Sequence, residues 1–298
     1  MSDKKILSIG EILWDLFPDG EKLGGAPANF ACHAAIQDNN VCMLSAVGRD
    51  AQGDEARRIL DAYAIDCSLI QSIQSAPTGM VSVKVDAAGR PEFAIHDNSA
   101  WDQIVWSQEL ESCIDQFDAI YFGTLAQRSI VTRETIRKTA ERAKQKGVLR
   151  VFDVNLRSPF FNDTIIRESI EWSSILKLSD EELERVAVAC NIPAQSNDES
   201  KLKHLLNQFE LDLVAMTCGP DGAILVSKHE MIDEPGIPTT VVDTVGAGDS
   251  FTAALVTGWL RGDSLASIAR YACETASATC SHRGAVPQPN FLYPQPNR

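Results

Sequence analysis

The stretch VVDTVGAGDSFTAALVTGWL, residues 241–260, holds the side chains and turns best suited to chemistry. A strand-like Val241-Val242-Asp243 runs into Gly246-Ala247-Gly248, and a strongly helical stretch begins near Asp249. Glycines at a strand-to-helix turn leave no Cβ in the way, so successive N–H groups can point into one concavity. The helix start contributes unpaired N–H groups and the positive end of a dipole. Together these suit an anion, most naturally a phosphoryl group. Asp249 beside it is placed to accept a proton from an attacking hydroxyl. A bare G-x-G-D fits equally a plain turn with Asp249 as a helix cap, because short motifs match by chance. Other residues have to decide between the two.

The elements that must position this turn alternate along the chain. KKILSIG (4–10), CMLSAVG (42–48), AIYFG (119–123), LRVFDV (149–154), SILKL (174–178) and LDLVAMT (211–217) are short and near-continuously apolar. That is the pattern of parallel strands covered on both faces. Helical stretches separate them: PANFACHAAIQDN, starting with Pro27 at its first position, where the missing N–H costs nothing, then 129–146, 164–172, 179–189 and 199–209. The alternation predicts an α/β fold, a doubly wound, mostly parallel sheet flanked by helices. One stretch breaks the rhythm. MVSVKV and PEFAIH, within 79–98, flank an Asp-Ala-Ala-Gly turn and read as a β-hairpin. With the extended piece at 11–23 they form a small second sheet, a candidate lid on a single domain spanning 1–298. The proline-rich tail PQPNFLYPQPNR reads as extended along the surface.

Composition limits the partners. The net charge of -14 leaves no basic face for nucleic acid or an anionic membrane. No membrane-length apolar run or secretory segment is present, so the expected location is the cytoplasm. The eight cysteines are scattered without metal spacing and read as core thiols. The five histidines lack metal spacing too; His96, on the hairpin, is the one to watch. Trp14 and Phe93 are candidates to line the apolar face of a ligand or to pack the small sheet, and Trp101 and Trp106 read as core or edge aromatics. SDEELERV fits a helix capped by Ser179, with Glu182 completing a capping box.

With these residues in view, the chain resembles the ribokinase-like (PfkB) carbohydrate kinases. DTVGAGDSF is similar to that family's C-terminal signature, and Gly24-Gly25-Ala26-Pro27-Ala28-Asn29 to its N-terminal one. VGRDAQGD (47–54), DVNLRSPF (153–160), KLSDEE (177–182) and TCGPDG (217–222) resemble further landmarks in the family's order. The resemblance runs from residue 6 to about 287. It implies Asp249 as catalytic base, with Gly246, Ala247 and Gly248 as an anion hole. Asp15, Gly24, Gly25 and Asn29 are implied to bind the sugar, and Arg157 to contact the substrate or the transferring phosphate. Without the resemblance, Asp15 and Asn29 read as parts of a turn and a helix start, and Arg157 as one half of a surface salt bridge.

On the nucleotide side the resemblance implies Lys177 and Glu182 near the phosphates, with Glu182 acting on Mg²⁺ through water. Ser179 stands where the family commonly has Asn. Thr217, Gly219 and Gly222 would shape the ATP loop. CSHRGAV (280–286) resembles the loop that closes over adenine and, with Asp243, binds a monovalent cation such as K⁺ in many relatives. The implied activity is ATP-dependent phosphorylation of a sugar hydroxyl. GEILWDLFP and GGAPANFA look most like the fructokinase branch, making D-fructose to fructose 6-phosphate the leading expectation. A kinase for 2-keto-3-deoxygluconate, another ketose or ribose is the alternative, and a non-catalytic sugar-sensing relative the alternative of another class. An exposed edge strand on the small sheet further suggests a homodimer through the lid.

Overall fold

The computed structural model describes residues 4–17, 20–85 and 91–294. The large sheet contains β1 (Lys5–Ile9), β4 (Asn40–Gly48), β5 (Ile70–Ile73), β8 (Ala119–Gly123), β9 (Leu149–Asp153), β10 (Ile175–Ser179), β11 (Leu213–Thr217), β12 (Gly222–Ser227) and β13 (Met231–Pro235). The small sheet contains β2 (Leu13–Phe17), β3 (Gly20–Gly24), β6 (Gly79–Val85) and β7 (Pro91–Ile95). The helices are α1 (Ala26–Ile36), α2 (Ala51–Ala62), α3 (Gln108–Cys113), α4 (Ile130–Gln145), α5 (Asp163–Trp172), α6 (Asp180–Ala189), α7 (Asp198–Gln208), α8 (Ala247–Arg261) and α9 (Leu265–Cys280).

The large sheet runs β13-β12-β11-β10-β9-β8-β1-β4-β5. Every pairing from β11 to β5 is parallel, and β12 and β13 add antiparallel at one edge. The expected doubly wound sheet is therefore present. Strand order reverses direction between β8 and β1, the kind of switch point where such sheets bind ligands. Alternate side chains of each buried strand enter two cores. Leu7, Phe152, Leu176 and Val214 pack beneath α4 to α7, while Ile6, Val151, Ile175 and Leu213 pack beneath α1, α2, α8 and α9. Two-sided burial is why these strands read as continuous apolar runs.

The small sheet has the order β3-β2-β6-β7, with β2 and β6 parallel and both outer pairs antiparallel. The expected hairpin at 79–98 ends at Ile95, and the stretch 11–23 folds into a hairpin of its own. The Asp-Ala-Ala-Gly turn and the side chain of Phe93 lie outside the described residues. No helix among the described residues is long and apolar enough to cross a membrane.

Two expectations are corrected. Val241-Val242-Asp243 forms no strand: Val241 and Val242 are exposed, and the amides of Val242 and Asp243 instead donate to the Cys280 carbonyl. An apolar run makes a strand only where it pairs with a sheet, and these residues pair with none. The tail also does not simply lie on the surface. Tyr293 is buried, with its hydroxyl 2.5 Å from His33 Nδ1, and the Pro287 carbonyl accepts from Tyr63 at 2.9 Å.

Candidate active site

Three strand ends and one helix start converge at the switch point. β1 runs out into Gly10 and Glu11, and β9 into Asn155 and Arg157, with Asn155 in the left-handed region at φ 37° turning the chain over the sheet. β10 contributes Lys177, and α8 begins opposite with Ala247-Gly248-Asp249. A cavity of about 590 Å³ lies between them, lined by Glu11, Asp15, Gly25, Asn29, Asn155, Arg157, Lys177, Gly246, Gly248 and Asp249. Leu13, Phe17, Val81 and Ile95 of the small sheet close its other side. A second cavity of about 680 Å³ is lined by Thr217, Gly219, Gly222, Ala247, Phe251 and Ser277 among others. Thr244 and Gly248 line both cavities, so the two meet at the start of α8.

The turn there has the conformation its glycines suggest. Gly246 is the N-cap of α8 at φ 80°, and a Cβ on it would lie 2.0 Å from the Ala285 carbonyl oxygen. Ala247 N–H donates to the Thr244 carbonyl at 3.3 Å, which turns it away from an anion. The amides of Gly246, Gly248 and Asp249 have no acceptor among the described residues. They are the donors open to a phosphoryl group, Gly246 and Gly248 as expected, with the Asp249 amide in place of that of Ala247. Gly248 also makes room for a cation: a Cβ there would sit 3.2 Å from Lys177 Nζ. Lys177 is itself fixed, 3.2 Å from Asp153 Oδ1, while Asp153 Oδ2 accepts from Thr252 Oγ1 at 3.0 Å. Thr252 lies one turn beyond Gly248 on α8, so this network ties β9, β10 and α8 together.

Asp249 accepts a hydrogen bond from Asn29 Nδ2 at 2.9 Å, which joins the starts of α1 and α8. Burial, with a further push from the Asp153 charge, raises the Asp249 carboxyl to about 6, against the pull of Asn29, Lys177 and Arg157. Burial likewise raises Asp15 to about 6, with Arg157 pulling the other way. Burial works against the charge on Lys177, but Asp153 and Glu182 outweigh it, so the ammonium is held charged. A proton acceptor poised near neutrality, a fixed cation and three free amides thus meet at one junction. That is the equipment for moving a phosphoryl group between ligands in the two cavities.

Most of the residues singled out in the sequence meet here. Asp15, Gly25, Asn29, Arg157, Lys177, Gly246, Gly248 and Asp249 line the first cavity, and Thr217, Gly219, Gly222 and Ala247 the second. Arg157 is exposed on the cavity side and makes no ion pair among the described residues, so the surface salt bridge is not formed. Gly24 is buried beside the cavity, where a Cβ would strike Asp15 Oδ2 at 2.4 Å. Glu182 lines neither cavity. Its oxygens accept from the amides of Leu156 at 2.7 Å and Ser179 at 2.9 Å, the expected capping box with an added tie to the loop after β9. Asp243 accepts from Val245 N and Gly284 N, which joins the loop before α8 to the loop after α9. Trp14 is buried, donates to the Gln52 carbonyl and packs the small sheet against the core. Trp101 is fully buried. His96 is exposed, with Nε2 2.6 Å from Ser82 Oγ, away from the cavity.

Glu11, Asp153, Asn155 and Thr252 were given no role from the sequence, although Asp153 and Asn155 fall within the DVNLRSPF landmark. The first three stand at or just past strand ends, where side chains face the ligand crevice, and that rule already placed Arg157. Thr252 left no signal, because its partner Asp153 is 99 residues away.

Comparison with known proteins agrees with this geometry. Residues 4–290 match the pfkB family of carbohydrate kinases. A fructokinase of Solanum tuberosum is 28% identical, the match covering 96% of this chain and 93% of that protein. The crystal structure of an uncharacterized sugar kinase of Pyrococcus horikoshii in complex with ATP superposes with a TM-score of 0.81 at 28% identity, covering 96% of each chain. A fructokinase of Vibrio cholerae, solved with fructose, ADP and calcium, shares the fold at a TM-score of 0.82 and 22% identity, covering 97% of this chain and 96% of that one. A match across nearly the whole chain, on top of a converging carboxylate, cation and set of free amides, leaves one conclusion: the chain belongs to the pfkB family of carbohydrate kinases.

Proposed function

We propose that this carbohydrate kinase transfers the γ-phosphoryl group of ATP to the 6-hydroxyl of D-fructose. The observation that carries the reading is the junction at Gly248: the cavity holding the base and the cavity lined by Thr217, Gly219 and Gly222 share it. A sugar in the first cavity offers its hydroxyl to Asp249, which accepts the proton as the oxygen attacks. ATP in the second cavity brings its terminal phosphate to the Gly248 and Asp249 amides, with Lys177 balancing the charge on the transferring group. Leu13, Phe17, Val81 and Ile95 place apolar surface over the sugar, which makes the small sheet a lid that keeps water from competing as acceptor. The outer edges of that sheet, β3 and β7, support a homodimer formed through it, and a monomeric mass by light scattering would count against that assembly.

Mg²⁺ bound to the ATP phosphates would supply charge neutralisation at the transferring group. The residues fit such an ion only at a distance: each Glu182 oxygen already accepts one amide, leaving lone pairs for metal-bound waters and not for a direct ligand.

The charge in the first cavity favours a neutral sugar. Glu11, Asp15, Asp153 and Asp249 stand against Arg157 and Lys177, and Lys177 is already paired. The fructokinase similarity points the same way. The unpaired guanidinium of Arg157 supports a second reading, a kinase for the acid sugar 2-keto-3-deoxygluconate, whose carboxylate it could bind. Coupled ADP-release kinetics across D-fructose, 2-keto-3-deoxygluconate, ribose and adenosine separate the two. Fructose is expected to give the highest kcat/KM, and a preference for the acid sugar would replace fructose by the second reading. No turnover with any acceptor would favour the non-catalytic, sugar-sensing alternative.

A further inference from the structure

Glu11 is the one carboxyl in the acceptor cavity whose presence none of the roles above explains. It follows β1 directly, is only 3% exposed and lines the same cavity as Asp249 and Arg157. Its Oε2 is buried without a hydrogen-bond partner among the described residues. A buried oxygen in that condition is costly unless a ligand completes it. The start of α1 is packed onto its backbone and the root of its side chain: a Cβ on Gly25 would lie 2.4 Å from the Glu11 carbonyl oxygen and 3.3 Å from its Cγ. The last side-chain torsion, which is soft in glutamate, can turn the carboxyl onto a bound molecule.

We propose that Glu11 is a specificity-determining residue that hydrogen-bonds one non-reacting hydroxyl of the acceptor sugar. The inference rests on the reading of this cavity as the acceptor site. Burial raises the carboxyl to about 7; Arg157 and the amides of Glu11 and Ala26 pull it down, and Asp249 pushes it up. Buried Tyr121 also faces it, and Asp15, Asp153 and Lys177 share the cavity. Near neutrality the protonated form therefore contributes a donor, complementary to the acceptor at Asp249. The pair distinguishes the two sides of a polyol, one hydroxyl taken by Glu11 and the reacting one facing the base.

The test is steady-state kinetics of wild type, Glu11→Gln and Glu11→Leu with D-fructose and its singly deoxygenated analogues at non-reacting positions. In wild type one analogue is expected to lose at least about tenfold in kcat/KM, the worth of one unmet polar partner. Glu11→Leu should lose a similar factor with fructose, leave the KM for ATP unchanged, and no longer discriminate against that analogue. Discrimination that survives in Glu11→Leu overturns the assignment. Should Glu11→Leu fail to fold, the near-isosteric Glu11→Gln decides: wild-type KM for sugar rises with pH through about 7 as the donor is lost, and the Gln variant lacks that step, keeping only the titration of Asp15 and Asp249 near 6. A Gln variant that keeps the wild-type profile overturns the proposal. Wild type inactive on every sugar overturns the acceptor-site reading and this inference with it, whereas active wild type with indifferent variants overturns this inference alone.

Discussion

A carboxylate serves as a base only when ionised, and Asp249 is held at about 6, so protons compete with the substrate hydroxyl just below neutrality. Turnover with saturating sugar and ATP is expected to rise with pH through about 6 and level off above it. A pH–kcat profile flat down to pH 5 would place the base elsewhere. Asp249→Asn keeps the shape and the Asn29 contact but removes the acceptor. We expect kcat to fall by about 10²–10⁴-fold, with ATP affinity by calorimetry unchanged. The same carboxyl should cost stability. Its folded value lies above the ordinary 3.8, so between those values the folded chain holds more protons than the unfolded one, and stability drops as pH rises through about 6. Asp249→Asn is therefore expected to melt higher than wild type at pH 8, with the gain shrinking toward pH 4. A gain independent of pH would show that the charge is not its source.

At the scale of elements, the catalytic turn depends on a tie that crosses three of them. Asp153 on β9, Lys177 on β10 and Thr252 on α8 form a buried network with Asp153 at 1% exposure. Lys177→Met leaves that carboxyl without its cation, and a broken buried pair typically costs about 3–5 kcal/mol. The double variant Lys177→Met/Asp153→Leu removes both charges and should recover most of the loss in urea denaturation, while kcat stays low in both. Recovery of activity together with stability would make Lys177 a packing residue only. The elements themselves were largely legible, because strands buried on both faces carry apolar side chains at every position. The starts of α4 to α7 follow from their capping residues to within about two positions. Less legible were α2 and α9. In α2 a glycine in the first turn, Gly53, obscures the pattern, although its amide bonds the Asp50 cap at 2.8 Å. In α9, LASIARYACETASATC, small residues pack closely against α8 and leave little contrast between faces. The glycine turn at 246–249 was readable from local turn chemistry, whereas Asp15, Asn29, Arg157 and Lys177 were singled out by the family resemblance; the pairing of Asp153 with Thr252 depends on which strands become neighbours, which no local pattern records.

Across the whole molecule, the segment after α9 is brought back against the start of α8. His33, one turn beyond Asn29 on α1, lies 2.9 Å through Nε2 from the Ala285 carbonyl and 2.5 Å through Nδ1 from the Tyr293 hydroxyl. Ala285 in turn abuts Gly246, so the tail braces the anion-binding turn from behind. Burial drops His33 to about 4, with the Ala285 carbonyl working against the drop, so the ring is neutral in the folded protein. A neutral ring with Nε2–H donating to Ala285 takes its second hydrogen bond at Nδ1 from Tyr293. As pH falls from the ordinary histidine value of 6.5 toward 4, the unfolded chain takes the proton first, so folding stability is lost across that window. Tyr293→Phe deletes the donor and leaves a buried imidazole nitrogen unmet, a loss of about 1–3 kcal/mol. It should appear in urea denaturation at pH 7, where His33 is neutral in both states. The bracing role makes a second demand on the same variant: loosened support for the turn should lower kcat while the KM for sugar, whose cavity the tail does not touch, stays near wild type. A Tyr293→Phe protein that is destabilised yet turns over normally would confine His33 and Tyr293 to the core, and the turn at Gly246 would then owe its position to α8 and the Asp243 loop alone.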